Sequence, residues 1–555
     1  MNLQEYIVTV KSYDFLDQFY QDMESPGGNL YIPDRSVDLA YRRPLSRNTH
    51  YYLTDEEANQ IINDPRVENV TLAAGLPGTI IEPAHLYTDP DNGFTKQLNS
   101  NPFHFNWGIY RCWLGQQVPG WGYIPGTTNW STNAFYPTFE ILNEGKDVDV
   151  VIVDGFIDPA HPEFAENQDG SGGSRVVQYD WNQHYQEVYG EPSPGPYVYG
   201  PYLDPARVAN NNHGTHVAGT VSGNRQGWAK KSTIYNLYAY LSTSQSAFLI
   251  DFIRVFHKNK PVNPNTGIKK PTIVNMSFGL RNYTLPASIT SLEYRGTTYT
   301  GPFTVAQLNS FGMGPLITSG TYNGYIQVQS RYTPIDSDIV DAQNEGVIFV
   351  GAAGNASVKI DVPNGLDYDN RFFIDNIFWY YNRGSSPASA PNVICVGAID
   401  NYLDDRKATY SNCGPRVDLF APGTAILSSW LNLTGGAVLD IKRQQYGNYY
   451  YNKIPGTSMA SPQVAGVLAC MLELYPRMTQ SEARDYIINY AKTGQIYATN
   501  GGYTDYISLQ GAANKFLAWV KERKEEGAVY PKNTNKSRPS KGLVFPRSSI
   551  SRFGR

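Results

Sequence analysis

The sequence Gly456-Thr457-Ser458-Met459-Ala460-Ser461-Pro462-Gln463-Val464-Ala465-Gly466 decides the fold, and an apolar segment continues from it to Leu474. Apolar residues recur there at helical spacing, and no charged residue precedes Glu473. The pattern predicts a tight turn that leads into a buried helix, with Pro462 in the first turn, where its missing N–H has no partner within the helix. Ser458 then lies at or just before a helix N-terminus, where free N–H groups favour developing negative charge. A serine in this position is a candidate nucleophile, but it needs a base.

Other apolar runs end in polar residues that suit the same kind of site. Residues 148–154 form a run that ends in Asp154, and residues 346–355 form one that ends in Gly354-Asn355. Continuous apolar runs of this length predict strands that are buried on both faces of a parallel sheet, and such sheets bind ligands at the carboxyl ends of their strands. Because strand and helix patterns alternate, we predict an α/β fold of three layers, with a mainly parallel central sheet and helices on both faces.

The first 75 residues have a different pattern, which predicts a small α+β unit. Apolar spacing in residues 13–23 predicts one helix, and the capping box Thr54-Asp55-Glu56-Glu57 predicts the start of another. The predicted strands are residues 6–10, 37–41, 50–53 and 67–73. The resulting order βαββαβ is that of a ferredoxin-like unit.

Five motifs, in their order along the chain, resemble those of the subtilisin-like serine proteases, the peptidase S8 family. They are residues 148–154, 212–220, 272–279, 346–355 and 456–466. Asn212-His213-Gly214-Thr215-His216-Val217-Ala218-Gly219-Thr220 matches the histidine motif of the family throughout, and the first quoted stretch matches its serine motif. The related sedolisins have a glutamate in place of this histidine, so His213 argues against them. The resemblance implies the subtilisin-like fold.

The resemblance also implies a role for each site residue. Asp154, His213 and Ser458 are the expected catalytic triad, in the chain order of the subtilisins. His213 would take the proton of Ser458, and Asp154 would orient the imidazole. Asn355 is expected in the oxyanion hole, and the expected substrate-binding residues are Ser277, Phe278, Gly279, Ala352, Ala353 and Gly354. The implied activity is that of a serine endopeptidase that acts on polypeptides through an acyl-enzyme intermediate.

The chemistry needs no cofactor, and no metal is expected at the site. His216 lies three residues after His213, a spacing that on a helix can hold a metal ion, but no third ligand cluster lies nearby in the sequence. The resemblance implies a structural role for His216. Structural calcium stays open without assigned ligands. Residues 221–231 are too short to contain the Asn-rich loop that forms a calcium site in many subtilisins, so low sensitivity to chelators is expected.

The resemblance divides the chain into four parts. Residues 1–75 resemble the inhibitory propeptide of subtilisins (inhibitor I9), which implies an inhibitor and folding template removed by self-cleavage; an unrelated α+β module is the alternative. Residues 76–105 are rich in Pro, Asn and Thr and are expected to be a linker. Residues 106–520 are the expected catalytic domain, and residues 521–555 a basic, flexible tail. Insertions are expected near residues 113–140, 165–208 and 282–337.

Composition excludes several classes of protein. The chain has 555 residues, of which 41% are hydrophobic, which suits a globular protein of more than one domain. Its net charge is −5, although every charged residue from position 532 onward is basic, so no nucleic-acid partner is expected for the acidic remainder. No stretch approaches the roughly 20 apolar residues of a membrane helix. Cys112, Cys395, Cys413 and Cys470 are scattered, so buried free thiols are expected, while a Cys395–Cys413 disulfide stays open.

The compartment and one alternative function stay open. The first residues, Met1-Asn2-Leu3-Gln4-Glu5-Tyr6, lack the basic and apolar regions of a secretory signal peptide, although proteases of this family are usually secreted. Intracellular and virion-associated locations therefore remain alternatives. This feature, the aromatic insertions and the basic tail allow a second interpretation: a structural or maturation component of a larger assembly, such as a phage virion, that contains a subtilase domain. The complete set of catalytic residues favours the peptidase.

Overall fold

The computed structural model describes residues 3–31, 39–42, 48–72, 107–114, 121–123, 130–132, 141, 143–167, 169–190, 213–238, 243–264, 267–318, 322–331, 333–374, 377–401, 405–430, 443–446, 449–496 and 509–518. The chain folds as two compact units, one within Met1–Thr79 and the other within Ile80–Glu526. The predicted linker, residues 76–105, and the predicted tail, residues 521–555, lie outside the described residues. So does most of the predicted insertion near residues 113–140.

The N-terminal unit has the element order βαββαβ. Its elements are β1 Gln4–Val10, α1 Leu16–Glu24, β2 Leu39–Arg42, β3 Asn48–Leu53, α2 Asp55–Ile61 and β4 Val67–Leu72. The strands form one antiparallel sheet in the order β2-β3-β1-β4. Thr54 caps α2, because its hydroxyl accepts the N–H of Glu57 and the Glu57 carboxylate accepts the N–H of Thr54. Val8, Phe19 and Tyr51 are fully buried in the core of the unit.

The second unit contains the strands and helices that form the candidate site. Its strands are β5 Trp121–Tyr123, β6 Trp130–Thr132, β7 Asp149–Asp154, β8 Val176–Val177, β9 Thr233–Tyr238, β10 Thr272–Met276, β11 Arg281–Thr284, β12 Ser291–Tyr294, β13 Thr297–Thr300, β14 Ile326–Gln329, β15 Val347–Ala352, β16 Arg371–Ile374, β17 Ile377–Tyr380, β18 Ile394–Ile399, β19 Leu419–Pro422, β20 Ile426–Trp430, β21 Arg443–Tyr446, β22 Tyr449–Ile454, β23 Lys492–Thr493 and β24 Lys515–Phe516. Its helices are α3 Trp107–Leu114, α4 Trp181–Tyr189, α5 His213–Ser222, α6 Thr243–Asn259, α7 Val305–Ser310, α8 Thr333–Asn344, α9 Thr457–Leu474 and α10 Gln480–Tyr490.

The central sheet has the order β23-β24-β19-β18-β15-β10-β7-β9-β8. All neighbouring strands in it are parallel except β23 and β24. Helices cover both faces: Val151 and Val153 of β7 share a core cluster with residues of α4, α6 and α8. Val150 and Ile152 are also fully buried and face the other side, where α9 packs against β10, β15, β18 and β19. The predicted three-layer α/β fold with a mainly parallel sheet is confirmed.

An additional small module interrupts the chain between β10 and β18. In it β11 pairs with β14, β12 pairs with both β13 and β16, and β16 pairs with β17. Its core contains Leu292, Leu308, Ile326 and Phe372. The sequence predicts an insertion near residues 282–337, but β16 and β17 belong to a second segment, after β15, that the sequence patterns do not predict. Ion pairs join the two segments, Arg295 with Asp367 and Arg371 with Glu293.

The described part of the predicted insertion near residues 165–208 has regular structure. β8 joins the edge of the central sheet, and α4 follows it. Trp181 of α4 is buried, and its indole N–H donates to Asn236 O at 2.8 Å. Among the residues that the structure describes, none of the helices is both long enough and apolar enough to cross a membrane.

The four cysteines are buried free thiols, as the sequence predicts. Burial raises the pKa of Cys395 to about 12 and that of Cys413 to about 11, so both stay protonated at neutral pH. The Cys395–Cys413 disulfide that the sequence left open is not formed.

Candidate active site

Asp154 is the last residue of β7, at the carboxyl edge of the central sheet. Its side chain is 1% exposed, and its Oδ1 accepts the N–H of Gly155 at 2.7 Å. β10 and β15 end at the same edge, since Met276 pairs with both Val153 and Gly351. The residues that follow these three strands therefore lie close together, where ligands bind in sheets of this kind.

His213 begins α5 and contacts Asp154 directly. Its Nδ1 lies 2.8 Å from Asp154 Oδ1 and 3.0 Å from Oδ2. Because a carboxylate only accepts hydrogen bonds, Nδ1 carries the proton, and Nε2 of the neutral imidazole is left as an acceptor. Burial alone would lower the pKa of His213, but the charge and the hydrogen bond of Asp154 outweigh it, so the pKa is raised.

Gly214 sets how closely α5 approaches the end of β7. A Cβ at this position would lie 2.3 Å from Gly155 O, closer than any side chain tolerates. This close approach explains why the residue after His213 is a glycine. It lets the helix that holds the histidine pack against the strand that holds the aspartate.

Ser458 lies in the first turn of α9, which begins at Thr457. Gly456, just before the helix, has a φ of 150°, a conformation that favours glycine, and it forms the tight turn into the helix. Ser458 is partly exposed, and its Oγ donates a hydrogen bond to Ser277 O at 3.0 Å. The predicted turn and buried helix are present.

Pro462 lies beyond the first turn of α9, and not within it as the sequence pattern predicts. A proline inside a helix has no N–H for the carbonyl four residues earlier, which here is that of Ser458. Ser277 Oγ donates to this carbonyl at 2.9 Å and replaces the missing bond. Two hydrogen bonds therefore join Ser277 and Ser458, one in each direction.

Asn355 follows β15, and Thr457 holds its side chain in place. Asn355 Oδ1 accepts the N–H of Thr457 at 2.9 Å and its hydroxyl at 2.8 Å. Because Oδ1 is occupied, Nδ2 is the end of the amide that can donate to a ligand. A Cβ on Gly456 would lie 3.5 Å from both Asn355 Nδ2 and Ser458 N, so both donors are close to Gly456 at the start of α9. N–H donors that border a cleft can bind an oxyanion there.

One cleft of about 500 Å³ contains most of the candidate residues. Asp154, His213, Asn355 and Ser458 line it together. The expected substrate-binding residues that also line it are Ser277, Phe278, Gly279, Ala352 and Gly354.

Ala353 is the one expected substrate-binding residue that does not line this cleft. It is 1% exposed. Its carbonyl accepts the side-chain amides of Asn412 at 2.7 Å and Gln329 at 3.1 Å. The structure therefore places Ala353 behind the wall of the cleft, although its two chain neighbours are in it.

Other lining residues are not among the expected site residues, and of these only Thr457 belongs to one of the five sequence motifs. They are Leu280, Arg281, Gln327, Gln329, Ser385, Pro455 and Thr457. β11 and β14 of the small module contribute Arg281, Gln327 and Gln329. No motif or periodicity marks these three residues. The available signal is the position of the predicted insertion, directly after the expected substrate-binding residues 277–279.

His216 has a different environment from His213. Its Nε2 lies 2.9 Å from Ile426 O and 3.1 Å from Asn452 O, and burial lowers its pKa to about 3. The neutral ring therefore donates to the backbone of β20 and β22, which suits a structural role. Across the part of the chain that the structure describes, no group of three or more His, Cys, Asp or Glu side chains could hold a metal ion.

These features define a class of protein. It is an α/β protein in which three residues line one cleft. They are an aspartate at the end of a strand of the central sheet, a histidine that contacts this aspartate, and a serine at the start of a buried helix. The profile of the Subtilase family (Peptidase S8) matches residues 145–513, so the chain belongs to the subtilase family. The predicted resemblance to subtilisin-like serine proteases is confirmed at this level.

Relatives in the family are proteinases of fungi and bacteria. The chain is 29% identical to the subtilase-type proteinase isp6 of Schizosaccharomyces pombe, over 58% of this chain and 50% of that protein. It is 28% identical to an extracellular serine proteinase of Thermus sp., over 54% of this chain and 50% of that protein. The chain thus spans about half the length of the curated relatives it matches. A solved cold adapted subtilisin-like serine proteinase aligns with a TM-score of 0.41 and 23% identity, over 75% of this chain and 99% of that one.

Proposed function

We propose that the protein is a serine endopeptidase that hydrolyses peptide bonds through an acyl-enzyme intermediate. The observation that carries this proposal is the hydrogen bond from His213 Nδ1 to Asp154 within the cleft that Ser458 lines. Membership of the subtilase family and similarity to proteinases of other organisms support the same activity. The substrates are polypeptides.

His213 acts as the general base in this mechanism. The hydroxyl of Ser458 turns from Ser277 O to Nε2 of His213, which takes the proton as Oγ attacks the peptide carbonyl. The imidazolium then gives this proton to the leaving amine. In the second half of the reaction, His213 takes a proton from water as the water attacks the acyl group, and it returns a proton to Ser458 Oγ as the acyl group leaves. Asp154 keeps the imidazole in the required tautomer and stabilises its cation, which accords with the raised pKa of His213.

Asn355 and the backbone of Ser458 stabilise the negative charge that forms on the substrate. The tetrahedral intermediate has an oxyanion that the planar peptide carbonyl lacks. Nδ2 of Asn355 and N of Ser458 are both close to Gly456, and neither has to reorganise during the reaction, because Thr457 and the start of α9 fix them. Donors held in this way bind the transition state more strongly than the substrate.

The N-terminal unit is the proposed first substrate. Residues 1–75 resemble a subtilisin propeptide in sequence, and the βαββαβ unit within Met1–Thr79 is a compact body of its own. In this proposal it assists folding, inhibits the cleft and is removed by self-cleavage within residues 74–106.

Covalent labelling tests the peptidase proposal. A fluorophosphonate should label Ser458 in the full chain and abolish hydrolysis of a peptide library. Ser458→Ala should take no label, and His213→Ala should react at least about 10³-fold more slowly, because the base is gone. Ser461→Ala is the matched control, since Ser461 lies in the same helix but is fully buried and donates to Asn275 Oδ1 at 2.7 Å. A folded wild-type chain that takes no label, even after the N-terminal unit is removed by added protease, contradicts the proposal and favours the assembly component.

A further inference from the structure

Polar residues line the cleft beside the expected substrate-binding residues. A peptide held for attack has its carbonyl carbon at Ser458 Oγ and its carbonyl oxygen near Asn355 Nδ2. A P1 side chain, the one next to that carbonyl, can enter the cleft between two of its walls, residues 277–281 and residues 352–354. Gln329 and Ser385 lie behind these two walls, and both also line the cleft.

Gln329 presents a buried amide oxygen without a donor. It is 4% exposed, and its Nε2 donates to Ala353 O at 3.1 Å, which identifies the nitrogen end of the amide. Oε1 is buried, and no hydrogen-bond partner for it exists among the described residues. A buried acceptor without a donor is costly, and a ligand that donates to it removes this cost. The side chain is next to the walls, because a Cβ on Gly354 would lie 2.5 Å from Gln329 Nε2.

Ser385 lies behind the other wall. It is 2% exposed, and a Cβ on Gly279 would lie 2.5 Å from Ser385 Oγ. Glycine at positions 279 and 354 thus lets these two polar groups pack directly against the backbone of the walls. Polar groups therefore lie in the cleft beside the apolar residues Phe278 and Leu280, and a substrate side chain that forms no hydrogen bonds leaves them without a partner.

Arg281 adds a positive charge beside Gln329. The two residues are directly opposite each other in the antiparallel pair β11–β14, so their side chains share one face. Arg281 is exposed, and its guanidinium lies 5.7 Å from the centre of the Tyr283 ring. Within the described chain it forms no ion pair with a carboxylate. It can therefore donate to a substrate oxygen and repel a substrate cation.

We infer that this pocket selects a carboxamide side chain at P1, glutamine or asparagine, with Gln329 as the specificity-determining residue. The inference rests on the proposed peptidase function. The amide NH₂ of the substrate donates to Gln329 Oε1, and its amide oxygen accepts from Arg281 or from Ser385. A carboxylate has no proton for Gln329 Oε1, a lysine meets Arg281, and an apolar side chain leaves both groups without a partner. A site built for hydrogen bonds discriminates strongly against analogues that cannot form them.

Peptides that differ only at P1 test the inference. The full chain is assayed with P1 Gln, Leu, Glu and Lys, and active sites are counted with the fluorophosphonate. Wild type should have the highest kcat/KM for P1 Gln, at least about tenfold above P1 Leu. Gln329→Leu should lower the Gln-to-Leu ratio by about tenfold or more. Gln343→Leu is the matched control, because Gln343 is also buried and donates to a backbone carbonyl, Pro391 O at 3.0 Å, outside the cleft.

A second variant keeps the test valid if Gln329→Leu does not fold. Arg281 is exposed, so Arg281→Ala should fold, and it should raise kcat/KM for P1 Lys relative to P1 Gln by about threefold or more. Labelling of Ser458 together with equal rates on P1 Leu and P1 Gln, or an unchanged Lys-to-Gln ratio in Arg281→Ala, overturns this inference alone. Absence of both labelling and cleavage overturns the peptidase proposal, and the inference with it.

Discussion

The protonation of a single side chain, His213, should set the lower pH limit of activity. Only the neutral imidazole can take the proton of Ser458, so kcat/KM should rise as the pH increases through the pKa of His213. Burial lowers this pKa and Asp154 raises it, with a net increase, so the midpoint should lie above the usual value of about 6.5. The measurement is the pH profile of kcat/KM on one peptide, with active sites counted at each pH.

The variant Asp154→Asn tests whether the pH dependence comes from the His213–Asp154 pair or from a general effect of pH on the protein. It removes the charge that raises the pKa, so the His213 pKa should fall to below its wild-type value. NMR titration of the His213 ring gives this pKa even where activity is too low to measure. A His213 pKa that does not change in Asp154→Asn contradicts the assigned pair.

A second residue-scale prediction concerns Asn355. Asn355→Ala should lower kcat by roughly 10²–10³, as loss of an oxyanion-hole donor does in proteases of this family, and should change KM little. Asn355 also holds Thr457 through Oδ1. Asn355→Asp is therefore the informative comparison, because it retains Oδ1 and loses the donor. If Asn355→Asp recovers wild-type kcat, the residue only positions Thr457.

Sequence alone could predict the residues of the site that lie in contiguous motifs. Asp154, His213, Asn355 and Ser458 each belong to a short segment whose local structure, a strand end or a helix start, follows from pattern. Gln329 and Ser385 reach the cleft only through pairing of distant segments, which no local pattern encodes. Ala353 shows the converse: it lies within a motif, but the pleat of the chain turns it behind the wall.

At the scale of elements, the contact of α5 with β20 positions the histidine helix. Ser428 Oγ donates to His216 O at 2.7 Å, and Ser429 Oγ donates to Thr215 O at 2.8 Å. These hydrogen bonds require a close approach, and Gly219 permits it. A Cβ on Gly219 would lie 2.2 Å from Ser429 Oγ and 2.4 Å from Ser428 Oγ. The helix therefore cannot gain even one methyl group on this face without moving.

Gly219→Ala should thus lower both the free energy of unfolding and kcat. Overpacking of this kind costs typically 1–3 kcal/mol, about the range seen when a methyl group is forced into a well-packed interior. Thermal unfolding and peptide hydrolysis measure the two effects. In a double-mutant cycle, Ser429→Ala should recover part of the loss in the Gly219→Ala background. If the two changes are simply additive, the contact is not the cause.

Elements with strong periodicity or caps follow from the sequence, whereas those made by distant pairing do not. The capping box at Thr54 and the apolar run of β7 predict their elements because the signal is local. β16 and β17 are short; β16 becomes a strand by pairing with β12 across the module, and β17 by pairing with β16. α4 lies in a polar segment, where one buried tryptophan, Trp181, packs the helix onto the core. Tertiary contacts override weak local preference in these cases.

For the whole molecule, we predict little dependence of stability on calcium. A calcium ion that binds only the folded protein stabilises it, so its removal lowers Tm. The segment of residues 221–231 is too short to contain the Asn-rich calcium-binding loop of many subtilisins, and this is the reason for the prediction. EDTA should therefore shift Tm by less than about 2 °C, which corresponds to under roughly 1 kcal/mol in a large domain. The control is unfolding in excess calcium, and a fall of more than about 10 °C with EDTA that calcium reverses contradicts the prediction.

Self-cleavage of the N-terminal unit is a prediction about how the whole chain matures. In the central sheet, β7 pairs with β9 and β10, which lie far along the chain, and such non-local parallel pairing folds slowly. The N-terminal unit is small and compact, so it can form early and assist the second unit. Wild type should then lose this unit by a cut within residues 74–106, and Ser458→Ala should retain it.

The measurement is mass spectrometry of the N-termini of both proteins, expressed in parallel. A trace of active wild type added to Ser458→Ala at several concentrations separates cleavage within one chain from cleavage between chains, because only the second depends on concentration. Removal of the unit from both proteins points to another protease. If both remain intact while wild type hydrolyses added peptides, residues 1–75 are a permanent domain, and Ser458 acts only on other polypeptides.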